Sequence, residues 1–87
     1  MITKKLTVIN ESGIHARPAS VLVKECAKFK SNISFTYAGK THNAKSIINV
    51  MGCGVKKGAE IEMTFEGEDE AQAAKAVEAA INAGLGE

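Results

Sequence analysis

The sequence predicts an α+β fold, a four-stranded, largely antiparallel sheet with helices on one face, in the order β-α-β-β-α-β-α. Three observations predict it. Short segments of alternating polar and apolar residues mark strands with one face on a core. Two longer apolar stripes at helical spacing lie one on each side of a central pair of strands. That pair is joined by a turn short enough to make it a hairpin. The 87 residues, 45% hydrophobic and 24% charged, have the composition of an ordinary folded chain and are read as a single domain over 1–87, without repeat or linker.

Residues 2–8 place Ile2, Leu6 and Val8 at even positions, with Lys4 interrupting, and predict the first strand. Asn10-Glu11-Ser12-Gly13 is turn chemistry. Helix one is predicted over 16–28, with Pro18 in its first turn, where a missing N–H costs little. Its apolar stripe is Ala19, Leu22, Val23, Cys26 and Ala27. Ile33, Phe35 and Tyr37 alternate with Ser34 and Thr36 in a strand over 32–37, and Ala38-Gly39-Lys40 turns into a short strand near 40–43. Ser46 before Ile47-Ile48-Asn49-Val50-Met51 reads as the N-cap of a helix of one or two turns, with Gly52 and Gly54 available as stops. Ile61, Met63 and Phe65 interleave with Glu60, Glu62, Thr64 and Glu66 in the fourth strand. Gly67-Glu68-Asp69-Glu70 opens the last helix with acidic residues that complement its dipole. Its stripe is Ala71, Ala74, Val77 and Ile81, and Gly84 and Gly86 end it.

Composition excludes several classes of function. A formal net charge of +1 removes the basic field on which non-specific nucleic-acid binding depends. With no Trp, one Tyr and three Phe, there is no platform for stacking bases. Neither a Gly-rich phosphate loop with its Lys-Ser/Thr pair nor a His pair at metal spacing is present, so neither a cofactor nor a metal is expected. Cys26 and Cys53 have no Cys or His neighbours at zinc spacing and read as buried free thiols in a reducing compartment. The start of the sequence lacks signal-peptide features, and no window is long and apolar enough to span a bilayer. A soluble, cytoplasmic protein is therefore expected.

The chemistry-bearing segment is Gly13-Ile14-His15-Ala16-Arg17-Pro18. The first-turn N–H groups of a helix lack intrahelical partners and face the positive end of a dipole, so a group attached to His15 meets a phosphate-sized anion site. The same surroundings disfavour the imidazolium, which places the His15 pKa below the reference of roughly 6.5 and leaves a neutral, nucleophilic ring near neutrality. Arg17 carries the complementary charge, as a fork that fits phosphoryl oxygens. From local chemistry alone, a histidine at a helix start is usually a surface residue or a cap, and an arginine two residues on is usually solvated. His42 lacks a convergent partner and reads as structural. Ser46 reads first as a cap. Yet a phosphoryl group there would also be favoured by the helix dipole, with Lys45 beside it. Ile47, Ile48 and Met51 exceed what so short a helix needs as anchors, which leaves open at this point whether part of the group is core and part docking surface.

At this point Gly13-Ile14-His15-Ala16-Arg17-Pro18-Ala19, Asn43-Ala44-Lys45-Ser46-Ile47, Gly54-Val55 and Gly58-Ala59-Glu60-Ile61 carry a family resemblance. They resemble the histidine-containing phosphocarrier proteins (HPr) of the phosphoenolpyruvate:sugar phosphotransferase system, Gram-positive type. The resemblance runs in register over essentially the whole chain. It implies an open-faced β-sandwich with three helices on one face of the sheet. It further implies that His15 is phosphorylated on Nδ1 by phospho-enzyme I and passes the group to the A domain of a sugar-specific enzyme II, with Arg17 steadying it. Ser46 matches the serine modified by an ATP-dependent kinase/phosphorylase, and its phosphorylated form slows transfer at His15 and recruits a catabolite-control transcription regulator. Ala16, Ser20, Ile47, Ile48 and Met51 would form the docking patch around both positions. The chain departs from common members at Asn49, where they have Gly, and at Gly52-Cys53, where they have Ser-Leu.

The expectation is thus a monomeric carrier without turnover of its own, its partners held transiently, with neither nucleic-acid contact nor membrane insertion. Two other readings remain. One is a regulatory paralogue acting mainly through phospho-Ser46. The other is a non-catalytic ferredoxin-like binding module, which has the same element order.

Overall fold

The structure, a computed structural model, describes residues 1–11, 13–14 and 16–86. The predicted element order is observed: β1 (Ile2–Thr7), α1 (Ala16–Ala27), β2 (Asn32–Tyr37), β3 (Lys40–Asn43), α2 (Ile47–Gly52), β4 (Glu60–Glu66) and α3 (Glu70–Asn82). The sheet is wholly antiparallel, in the order β1-β4-β2-β3. Register lines the alternating side chains into rows. Ile2, Phe65 and Ile33 form one inward row, and Lys4, Met63, Phe35 and His42 the next. The intervening rows are polar: Thr3, Thr64, Ser34 and Asn43, then Lys5, Glu62, Thr36 and Thr41. Three helices cover the apolar face and leave the polar one open, the open-faced sandwich the sequence predicts.

Phe35, Phe65, Ile61 and Met63 of the sheet are fully buried against Leu22 and Cys26 of α1, Val50 of α2, and Ala74, Val77 and Ile81 of α3. Lys4 is half-buried at the edge of this layer. Its ammonium meets Glu78 of α3 at 3.1 Å, so the stem covers apolar surface while the charge stays paired. His42 stacks on Phe35 with ring centroids 5.1 Å apart, the structural role expected of it.

Two expectations need correction, and two further observations refine the sequence reading. Ala27 and Ala71 lie on exposed faces, while Ala73 is buried, so the stripe of α3 runs through 73, 74, 77 and 81. Cys53 is half-buried, with its thiol donating to Val50 O at 2.8 Å, whereas Cys26 is fully buried as expected. Asp69 precedes α3 but makes no side-chain bond to that helix. Its carboxylate instead accepts from the backbone N–H of Lys30 and of Ser31 and from the Ser31 hydroxyl, tying the α1–β2 connection to the start of α3. Finally, Ile47, Ile48 and Met51 are all exposed, and α2 is anchored by Val50.

The C-terminal end of α3 is set by backbone chemistry. At its end Gly84 N–H donates to Ile81 O and Leu85 N–H to Ala80 O, with Gly84 in the left-handed region at φ 84°. This is a Schellman motif, and it drives the Leu85 side chain into the core. No helix among the described residues is long and apolar enough to cross a membrane.

Candidate functional site

The segment that carries the predicted chemistry runs from β1 into α1, and it is braced against the segment between α2 and β4. Pairing of β1 with β4 continues past the strands, with Val8 N–H donating to Ala59 O at 2.9 Å and Gly58 N–H to Val8 O at 2.7 Å. Gly13 N–H then donates back to Asn10 O at 3.0 Å, and asparagine three residues before glycine is a spacing that β-turns favour in sequence. Ile14 is buried, and its N–H donates to Val55 O at 2.9 Å. Lys57 meets Glu11 at 2.6 Å across the same gap. Gly13 has φ 67°, and a Cβ there would fall 2.4 Å from Val55 O and 2.8 Å from Lys56 Cα. Only glycine permits so close an approach of the two backbones.

His15, the predicted phosphoryl acceptor, lies outside the described residues. Its chain neighbours are placed: Ile14 in the core and Ala16 as the first residue of α1. The first turn of α1 contains no acidic residue, and it carries Arg17, whose side chain is exposed. Among the described residues the first turn of α1 thus carries a cation and no carboxylate, the charge balance that suits an anion at a helix N-terminus.

α2 packs against α1, so the second predicted position belongs to a neighbouring element. Ser46 caps α2 as expected: its backbone is extended, and its hydroxyl accepts from Asn49 N–H at 3.4 Å. Asn43 shapes the approach, its side-chain oxygen accepting from Lys45 N–H at 2.9 Å. Lys45 does not serve Ser46 as a counter-charge in this arrangement, because its ammonium donates to Phe29 O at 2.6 Å. The same cation lies near the Cys26 thiol, yet burial dominates there and pushes that pKa up to about 12.

The predicted docking residues are arranged on two adjacent helices. Ala16 is exposed and Ser20 half-buried, one turn apart on α1. On α2, Ile48 is 81% exposed, Met51 46% and Ile47 38%. Ile48 and Met51, three apart, share the solvent side, and Ile47 lies between that side and the buried Val50. A six-residue helix is too short to stand on its own hydrogen bonds. It exposes its three largest apolar side chains while anchoring through one valine, an apolar group in solvent that its own packing does not account for. The sequence reading did not single out Asn10, Gly13 or Val55 as supports of the site. The Asn-x-x-Gly spacing was the available sign for the turn, whereas Val55 lies too far along the chain for local pattern to connect it.

Similarity to known proteins agrees with this geometry. The family model described as PTS HPr component phosphorylation site matches residues 2–83. Among solved structures, HPr-C-His from Thermoanaerobacter tengcongensis is 38% identical, with a TM-score of 0.95 over 100% of this chain and 98% of that one. The histidine-containing phosphocarrier protein of Mycoplasma is 41% identical, with a TM-score of 0.88 over 97% of each chain. The Bacillus subtilis catabolite repression protein Crh, described as a swapped dimer, is 34% identical, with a TM-score of 0.77 over 97% of each chain. The chain therefore belongs to the HPr family of the phosphotransferase system, in the type shared with Mycoplasma and Gram-positive bacteria.

Proposed function

We propose that this chain is a phosphocarrier in which His15 accepts a phosphoryl group from phospho-enzyme I and passes it to the A domain of a sugar-specific enzyme II. The observation that carries the reading is the exposed apolar group on α2, packed beside the helix that begins immediately after position 15. A neutral imidazole nitrogen attacks the phosphorus of the donor phosphohistidine, the donor's P–N bond breaks, and a new P–N bond forms on His15. Arg17 and the first-turn N–H groups balance the charge on the phosphoryl oxygens. The carrier returns to its starting form on delivery and has no turnover of its own. Ala16, Ser20, Ile47, Ile48 and Met51 serve as the docking surface, shared in turn by donor and acceptor.

Ser46 is proposed as a regulatory position. Phosphorylation by a serine kinase/phosphorylase would add about −1.5 to −2 charge at the edge of the docking surface. That charge repels an acidic partner without refolding, while the new phosphate sits where the dipole of α2 tolerates it. The same modified surface would be read by a catabolite-control transcription regulator. Transient exchange favours a monomer in solution, although the Crh structure is described as a dimer.

The decisive experiment incubates the protein with phosphoenolpyruvate and enzyme I and follows intact mass. One acid-labile phosphoryl group is expected on the wild type and none on His15→Ala. Slower labelling is expected for Ser46→Asp. Failure of the wild type under conditions that label a control carrier would return the chain to the regulatory or plain binding reading.

A further inference from the structure

We propose that Asn10 is a positioning residue for phosphoryl transfer: its side-chain amide fixes the Gly13–Ile14 peptide plane, immediately upstream of His15. This rests on the carrier reading above and adds a residue to it.

The observation is a peptide group held from both sides. The Gly13 carbonyl accepts a hydrogen bond from Asn10 Nδ2, and the N–H at the other end of that same peptide, on Ile14, donates to Val55 O at 2.9 Å. Gly13 N–H in turn donates to the Asn10 backbone carbonyl at 3.0 Å. Asn10 thus grips Gly13 at both its N–H and its C=O. A peptide plane has no soft internal torsion, so fixing its two ends fixes the direction in which the chain enters Ile14, whose side chain is itself held in the core. The next residue is His15.

The chemical type of residue 10 supports a positioning role over simple filling. Asn10 is only 5% exposed, and among the described residues its Oδ1 has no hydrogen-bond partner. A buried amide with one orphaned end is a poor choice if stability alone is served, because an apolar side chain would fill the space without that penalty. The remaining virtue of the residue is the N–H it donates to Gly13. A nucleophile must meet the phosphorus in line, and small errors of placement are costly to rate, so a residue that aims the acceptor acts on transfer rather than on partner affinity.

The test compares wild type, Asn10→Ala, Asn10→Asp and Asn10→Ser as acceptors from phospho-enzyme I, with kcat and KM for the carrier separated and folding checked by thermal unfolding. Ala removes the donor, Asp replaces it by an acceptor, and Ser restores a short donor. For the Ala and Asp variants kcat is expected to fall about tenfold with KM little changed, and Ser is expected to recover part of the loss. Backbone amide exchange of Ile14 should speed up in the same two variants. A folded Asn10→Ala with wild-type kcat, or a loss confined to KM, overturns the proposal. Should Asp not fold, Ala against Ser decides it alone. If the wild type takes no phosphoryl group, the carrier reading falls and the positioning role falls with it. Equal labelling of wild type and Asn10→Ala removes only the positioning role.

Discussion

Gly13 occupies a position where a methyl group has no room. A left-handed residue other than glycine costs roughly 1–2 kcal/mol, and the added Cβ would also meet Val55 O at 2.4 Å. Gly13→Ala is therefore expected to lower stability by about 2 kcal/mol or more in urea unfolding. A loss below a few tenths of a kcal/mol would contradict the close backbone approach. The glycine was visible in the motif, but its reason was not, because the atom it avoids belongs to a segment on the far side of α2. Alanines were misplaced for a different cause. With Ala71, Ala73, Ala74 and Ala76 all available, small side chains leave the phase of the α3 stripe undecided. Only Val77 and Ile81 fix it, and they select Ala73 and Ala74. Cys53 was read as buried from its apolar character, whereas its place at the end of a one-and-a-half-turn helix leaves part of it in solvent.

Element boundaries were legible wherever the determinant is local. The N-cap at Ser46, the alternation of β4 and the C′ glycine of α3 each act within a few residues, and each stands where the sequence placed it. The β2–β3 turn was equally legible as a turn, though its geometry was not. Both central residues have positive φ, Ala38 at 54° and Gly39 at 79°, the pattern of a type I′ hairpin turn. Alanine is a poor occupant of the first position, for which asparagine is preferred. Ala38→Asn is expected to raise stability by about 0.5–1 kcal/mol, which for a chain of this size moves the thermal midpoint up by several degrees. An unchanged or lowered midpoint would count against the left-handed assignment. Asp69 does more than its local context shows. Its sequence context suggested service to the dipole of α3, while its hydrogen bonds go to residues 30 and 31, which no local rule connects to it.

For the whole molecule, that carboxylate is one of the ties between the two long helices. The Ser31 hydroxyl, followed by the Lys30 N–H, holds Asp69 below its ordinary value of 3.8. A carboxyl depressed in the folded state adds stability that is complete above the unfolded value and disappears as pH falls through the folded one. Wild type is therefore expected to exceed Asp69→Asn in urea midpoint near neutral pH, with the gap closing as pH drops below about 3.8. A gap that stays constant down to low pH would show that the carboxylate charge is not what matters. The global architecture was readable because four alternating segments and two amphipathic helices admit few assemblies, and the resemblance selected one. The strand order β1-β4-β2-β3 was not read from pattern, since it pairs the first strand with the last.

That strand order has a consequence for how a cell makes this protein. β1 finds its partner only when β4 has been synthesised, and the loop ahead of α1 is braced by Val55, Gly58 and Ala59. A nascent chain that has reached residue 50 already displays the histidine motif, yet it lacks the strand and the segment that support it. The loop ahead of α1 then lacks its backbone partners, although α1 and β3, on which α2 packs, are already present. The contacts that brace this loop therefore form only after β4 has been synthesised, because they are long-range ones that also close the sheet. On the carrier reading proposed above, a chain lacking β4 is a poor acceptor, because the loop ahead of α1 then has no backbone partner.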